Sequence, residues 1–151
     1  EMLFVAIDDH ARIAFTQMHP NESKACAVAF LRAAVAYYAS LGITVRCVLT
    51  DNGSPFMSYA WRDACAELGI AHKRTRAYRP QTNGKAERFI QSALREWAYG
   101  IAYDHSSERT AMLAKWQHHY NWHRPHQGIG GVPPISRLKL ASGNNVLTLH
   151  N

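Results

Sequence analysis

The sequence has 151 residues, of which 47% are hydrophobic and 19% are charged, and its formal net charge is +6. This length and composition suit one globular domain that is long enough to bury a core. The apolar runs fall short of the roughly 20 residues that cross a bilayer, and no secretory signal is visible in the first residues, so we expect neither a membrane-spanning nor an exported chain.

The cysteines are those expected of a cytoplasmic protein. Cys26, Cys47 and Cys65 are an odd number of widely spaced residues, and each lies among apolar neighbours. We therefore expect reduced thiols in the core of a cytoplasmic protein that has no membrane partner, and neither disulfides nor a cysteine metal site.

Apolar patterns in the first 42 residues predict a hairpin followed by a helix. The apolar runs at residues 3–7 and 13–18 are separated by the polar stretch 8–12, which is typical of two strands joined by a turn. From near Glu22, apolar residues recur every three to four positions as far as Gly42, which indicates a helix with one buried face.

The middle of the chain continues this alternation. Residues 45–50, VRCVLT, are mostly apolar and β-branched, which predicts a buried strand that ends in the turn DNGS. A second helix is predicted over 58–68, a short strand over 71–75 and a loop over 76–83. Strands interleaved with helices indicate an α/β fold.

Two further helices are predicted in the second half. The third begins at Gly84, and its buried side is one of two neighbouring sets of residues: Phe89, Ala93 and Trp97, or Ile90 and Leu94. The fourth is capped by Ser106 or Ser107. Its buried face is formed by Leu113, Trp116 and Tyr120.

Positive charge is concentrated in one segment. Residues 71–95 contain seven bases and the single acid Glu87, so these residues alone carry +6. The bases are Lys73, Arg74, Arg76, Arg79, Lys85, Arg88 and Arg95. A solvated face usually mixes both signs, whereas a one-signed stretch around one carboxylate is typical of a phosphate-binding surface.

Two carboxylates are placed where α/β proteins expose functional groups. Asp51 directly follows a predicted strand, and Glu87 lies in the first turn of a predicted helix after the basic loop. Taken alone, Asp51 could simply close a turn, and Glu87 could simply be an acid that the helix dipole stabilises in the first turn. They are separated by 35 residues, and that spacing links them.

Around these two acids the sequence resembles the catalytic core shared by retroviral integrases and bacterial insertion-sequence transposases. The matching segments are LTDNGS at 49–54, YRPQTNGKAERF at 78–89, YNWHRPH at 120–126 and GGVPP at 130–134. The resemblance implies a ribonuclease H-like fold and a catalytic triad of Asp, Asp and Glu, in which Asp51 and Glu87 are the second and third members. We assign residues 1–126 to the catalytic core and residues 127–151 to a Pro- and Gly-rich tail.

The resemblance also implies the chemistry. Transposases and integrases cut DNA and join its strands at a site with two divalent ions, Mg²⁺ or Mn²⁺, and both ions accept carboxylate ligands. Asp51 and Glu87 are the expected metal ligands. The expected partners are DNA, at the element ends and the target, and further copies of the chain.

Five residues near Glu87 are candidate DNA contacts. Gln91 follows Glu87 by one helical turn and shares its face. The others are Arg79, Asn83, Lys85 and Arg88. The histidines at 118, 119, 123 and 126 have no paired cysteines beside them, so we expect them to stack on aromatic rings or to meet DNA rather than to bind zinc.

The first Asp of the triad is not matched within this chain. The resemblance implies that it lies on a central strand upstream of residue 1, between the first strand seen here and the strand before Asp51. Asp8 is a minor candidate for this ligand, but its matched position is the hairpin turn, where Asp8 or Asp9 could pair with Arg12. Without the central strand two strand edges are unpaired, so either another segment fills the gap or the sheet differs.

Two alternatives stay open. One is a plain nuclease of the same fold, which the 35-residue spacing and the YNWHRPH segment disfavour. The other is an inactive DNA-binding or assembly fragment. Because two carboxylates bind Mg²⁺ weakly, we expect the 151-residue chain to cut DNA little.

Overall fold

The computed structural model describes residues 1–75, 84–100, 102–138 and 146–150. The strands in these ranges are β1 (Met2–Asp8), β2 (Ala14–His19), β3 (Cys47–Thr50), β4 (Ala71–Arg74) and β5 (Val146–His150). The α-helices are α1 (Lys24–Ser40), α2 (Tyr59–Glu67), α3 (Gly84–Ala93) and α4 (Ser106–Trp122). None of these helices is both long and apolar enough to cross a bilayer.

The local predictions are largely confirmed. The hairpin is β1 and β2, the first two helices begin after the capping serines Ser23 and Ser58, and Gly42 adopts φ +80° just beyond α1. The prediction of a capping serine for α4 is wrong. His105 occupies the cap position and its side chain makes no capping bond. The predicted loop over 76–83 lies outside the described residues.

One sheet with strand order β2-β1-β5-β3-β4 forms the centre of the fold. β1 is antiparallel to β2 and β5, whereas β3 is parallel to β5 and β4. This mixed arrangement is the ribonuclease H-like sheet that the sequence resemblance implied.

The central strand comes from the end of the chain. β5 pairs with β1 from Val5↔His150 to Asp8↔Leu147, and with β3 from Cys47↔Val146 to Leu49↔Thr148. It therefore fills the gap that we expected between these two strands. Residues 127–151, predicted as a tail, also include two short 3-10 turns, Gln127–Ile129 and Pro134–Arg137.

Each face of the sheet has its own hydrophobic core. Phe4 and Ala6 pack with α1, α2 and the β5 residues Leu147 and Leu149 on one side. Their neighbours on β1, Val5 and Ile7, belong to the cluster under α3 and α4 on the other side. This alternation is what the period of two in a strand requires.

The second cluster resolves the alternative left open for α3. Phe89, Ala93 and Trp97 are buried, whereas Leu94 is 40% exposed. The helix changes to a π-helical turn at Leu94–Ala98, which carries Trp97 into the cluster. The face predicted for α4, with Leu113, Trp116 and Tyr120, is also buried.

Candidate active site

Asp51 lies at the carboxyl end of β3, in a tight turn. Its Oδ1 accepts a hydrogen bond from the backbone N–H of Gly53 at 2.8 Å. A Cβ at Gly53 would lie 2.9 Å from the same oxygen, so this turn admits only glycine without movement of the carboxylate. Sequence reasoning assigned Gly53 no role beyond a turn, although the Asp-Asn-Gly order was the available signal.

The base of this turn is tied to the neighbouring strand. The Asn52 side chain donates to the Thr75 carbonyl at 3.0 Å, just past β4. One residue before Asp51, the buried Thr50 hydroxyl lies 2.7 Å from Nε2 of His72 on β4. Burial, helped by the charge of Arg74, lowers the pKa of His72. These bonds fix the backbone that presents Asp51.

Glu87 is exposed in the first turn of α3, as predicted. Leu49 pairs with Thr148, which in turn pairs with Ile7 of the cluster under α3 and α4. Asp51 follows Leu49 by two residues, the spacing that returns to the same face of a strand. Leu49 therefore faces the side of the sheet that α3 covers, and Asp51 follows it just beyond the end of β3. That the two carboxylates lie within about 8 Å, as a shared metal site needs, stays a prediction.

The predicted DNA contacts are only partly within the described residues. Arg88 and Gln91 are exposed on α3. Lys85 lies in the first turn of the same helix, but its side chain lies outside what is described. Arg79 and Asn83 lie outside the described residues altogether.

Asp8 is held in the hairpin turn rather than near Asp51. Its Oδ2 accepts from the backbone N–H of Ala11 at 2.6 Å, and the residue is fully buried. Asp8 is in register with Leu147 and through it with Val48, three residues before Asp51 and so about 10 Å away along the strands. Arg12 donates to the carbonyl of Asp9. Burial lowers the pKa of Arg12 most, while the charges of Asp9 and Asp8 raise it, in keeping with the pairing expected in this turn.

The described ranges show no preformed cluster of metal-binding side chains. No three His, Cys, Asp or Glu side chains among them could hold a metal ion together. The histidine prediction is confirmed as far as stacking goes, since His118 stacks on Trp122 with ring centroids 5.6 Å apart. Asp51 and Glu87 offer hard oxygen donors, which fit Mg²⁺ or Mn²⁺ in kind.

The sheet order, the helices on both faces and an acid at the carboxyl end of β3 define a ribonuclease H-like core. Solved structures show the same fold. The catalytic core domain of BIV integrase matches with a TM-score of 0.71 and 21% identity, over 93% of this chain and 87% of that one. A chain of the simian T-cell lymphotropic virus intasome in complex with PP2A regulatory subunit B56 gamma matches with a TM-score of 0.73 and 22% identity, over 90% and 47%.

The sequence comparisons identify the family. Residues 2–80 and 68–134 each match an integrase core domain family, and the chain belongs to this family. Two curated relatives from Escherichia coli are each 31% identical over 99 residues: the putative transposase InsD for insertion element IS2E and transposase InsD for insertion element IS2A/D/F/H/I/K. The match covers 65% of this chain but only 45% and 33% of those relatives.

Proposed function

We propose that this chain belongs to an enzyme that cuts DNA and joins strands during transposition or integration, with Asp51 and Glu87 as two of its catalytic carboxylates. What supports the proposal is the family spacing of the two acids, together with the register that puts Leu49, two residues before Asp51, on the face of the sheet that α3 covers. Transposase relatives and integrase-core family membership support the reaction class.

The proposed cofactor is a pair of Mg²⁺ or Mn²⁺ ions. Bound ions of this kind activate the attacking oxygen and stabilise the leaving oxygen of a phosphodiester. The contribution of the chain is to hold the ligands in place: Gly53 orients the Asp51 carboxylate, and α3 presents Glu87. Asp8 is a poor third ligand because its register with Leu147 and Val48 places it about 10 Å from Asp51 along the strands.

The proposed partners are DNA and further copies of the chain. One structural neighbour is a chain of an intasome, which supports an assembly in which several subunits act together. A cytoplasmic location stays a prediction of the sequence.

Metal binding tests the two carboxylates without requiring turnover. Mn²⁺ binding to the purified chain, followed by electron paramagnetic resonance, should weaken at least about tenfold in Asp51→Asn and in Glu87→Gln, since even indirect ligand support is worth 10–100-fold. Asp63→Asn and Glu67→Gln are matched controls on α2, where both acids are exposed, and should bind as the parent does. Equal binding by all five proteins would remove the metal-site assignment.

Plasmid nicking in Mn²⁺ then tests the reaction. Whatever cutting the chain shows should disappear in Asp51→Asn and persist in Asp63→Asn. Products in which two DNA segments are joined would support transposition or integration, whereas cleavage alone would support the plain nuclease. Cutting that survives Asp51→Asn would refute the proposed active site.

A further inference from the structure

A groove on the α3 side of the molecule is lined by positive charge. It has a volume of about 440 Å³ and lies between α3 and the segment that follows α4. Arg88 and Gln91 line it from α3, and Arg95 lines it from the π-helical turn that follows. Arg124, His126 and Gln127 line it from the other side. A smaller adjoining cavity shares Arg88 and His126 and extends to Arg12 in the β1–β2 turn.

We call this surface the arginine groove and define it by Arg12, Arg88, Arg95, Arg124 and His126. No Asp or Glu is among the described residues that line either cavity. In the part of the chain that the structure describes, neither Arg88 nor Arg95 has an acid within ion-pair distance. Glu96 pairs with Arg124, and Asp9 and Asp8 act on Arg12, so Arg88 and Arg95 supply the unneutralised positive charge. That excess favours an anionic occupant.

Arg124 is fixed in place with its outer nitrogens available. Its Nε donates to both oxygens of Glu96, at 2.9 and 3.1 Å. Its guanidinium carbon lies 5.5 Å from the centre of the Tyr120 ring. Across the described residues its two terminal nitrogens have no hydrogen-bond acceptor. A guanidinium held in this way is preorganised to grip a planar or tetrahedral oxyanion with two donors.

The positive fields converge on His126. Burial lowers the pKa of His126 most, and the charges of Arg12, Arg124 and Arg88 lower it further. Arginines from three separate elements therefore lie close enough to act on one imidazole.

We propose that the arginine groove holds the phosphodiester backbone of DNA, as a binding surface beside the Asp51–Glu87 site. The assignment rests on the proposed function in taking DNA as the partner. Gln91 lines the groove and lies one turn after Glu87 on α3, so a strand lying in the groove passes next to the candidate catalytic acid. Several guanidinium groups in one groove suit an occupant that carries several phosphates, and bidentate guanidinium contacts are the usual means of holding them.

Salt-dependent DNA binding by the full 151-residue chain tests the groove. Anisotropy of a fluorescent duplex is measured in EDTA over a series of KCl concentrations, so that no metal-dependent step contributes. The slope of log affinity against log salt should flatten by about 0.9 for each phosphate that the protein no longer neutralises, and so by up to about 1.8 in Arg88→Gln/Arg95→Gln.

The matched control removes the same charge from the opposite face. Arg32 and Arg62 are exposed on α1 and α2, so Arg32→Gln/Arg62→Gln should leave the slope almost unchanged. Gln127→Glu places a negative charge in the groove and leaves its four arginines intact, and it should weaken DNA binding. Thermal unfolding establishes that each variant is folded.

The remaining outcomes separate this inference from the proposed function. Equal flattening of the slope in the groove and control variants would overturn the groove, because total charge alone would then explain binding. If polyglutamate competes as effectively as unlabelled DNA, the assignment of DNA to the groove would also be overturned, and an acidic peptide would be the better occupant. The binding measurements are made in EDTA on proteins that keep Asp51 and Glu87, so failure of the active-site assignment leaves the groove result intact.

Discussion

Replacing Asp8 with asparagine should stabilise the protein above about pH 6. The Asp8 side chain is fully buried, one carboxylate oxygen accepts from Ala11, and the other has no hydrogen-bond partner among the described residues. Burial, aided by the charge of Asp9 and opposed by the Ala11 and His10 amides and by Arg12, raises the pKa of Asp8 from 3.8 to about 6. Asp8 is therefore harder to ionise in the folded protein than in the unfolded chain.

The sign of the pH dependence follows from this raised pKa. Below about pH 4 the carboxyl group is protonated in both states, and its full contribution to the free energy of unfolding is present. As the pH rises through 6, that contribution is lost. A pKa rise of about two units corresponds to about 3 kcal/mol as an upper value. Asparagine keeps an oxygen for the Ala11 N–H and cannot ionise.

Urea unfolding from pH 4 to pH 8 measures this effect. The two proteins should be equally stable at pH 4, and the variant should gain up to about 3 kcal/mol by pH 8. His10, Arg12, Tyr38 and Arg137 face or adjoin the same turn, but they are present in both proteins, so their titration cancels in the difference. Asp63→Asn on α2 controls for removal of an exposed charge. Parallel stability curves for Asp8→Asn and the parent would refute the reasoning.

Two further substitutions test the strand and the turn that position the site. Leu149→Ala should lower the free energy of unfolding by about 2–5 kcal/mol, because Leu149 is 2% exposed in the core cluster. Val132→Ala, at 38% exposure, should change the free energy of unfolding little in the same urea assay. Comparable destabilisation by Leu149→Ala and Val132→Ala would contradict the central place of β5. Gly53→Ala should weaken Mn²⁺ binding by about 10–100-fold, since the groups that orient a metal ligand are worth that much. Ser54→Ala, at the exposed neighbouring position, should bind Mn²⁺ as the parent does, and unchanged binding by Gly53→Ala would mean that the Asp51 turn tolerates a side chain.

The sequence predicted what is encoded locally. The hairpin, the four helices and their buried faces follow from apolar periodicity and from Ser23, Ser58 and Gly42 at helix ends. The position of β5 could not be predicted, because its five residues carry no signal for partners more than 90 positions away. Asp51 and Glu87 were recognisable by their spacing. The arginine groove was not, because only tertiary packing brings Arg12, Arg88 and Arg124 together.

One buried amide and one ion pair fix the walls of the arginine groove to the core of the protein. Asn121 on α4 is fully buried; its Oδ1 accepts from the Ala14 N–H at 2.7 Å and its Nδ2 donates to the Ala14 carbonyl at 2.8 Å. These bonds hold the end of α4 against β2, and the Arg124–Glu96 pair holds the next segment against the π-helical turn after α3. Both walls of the groove are therefore anchored to the core, so its charge is positioned by packing, as a surface that orients DNA beside a catalytic acid requires.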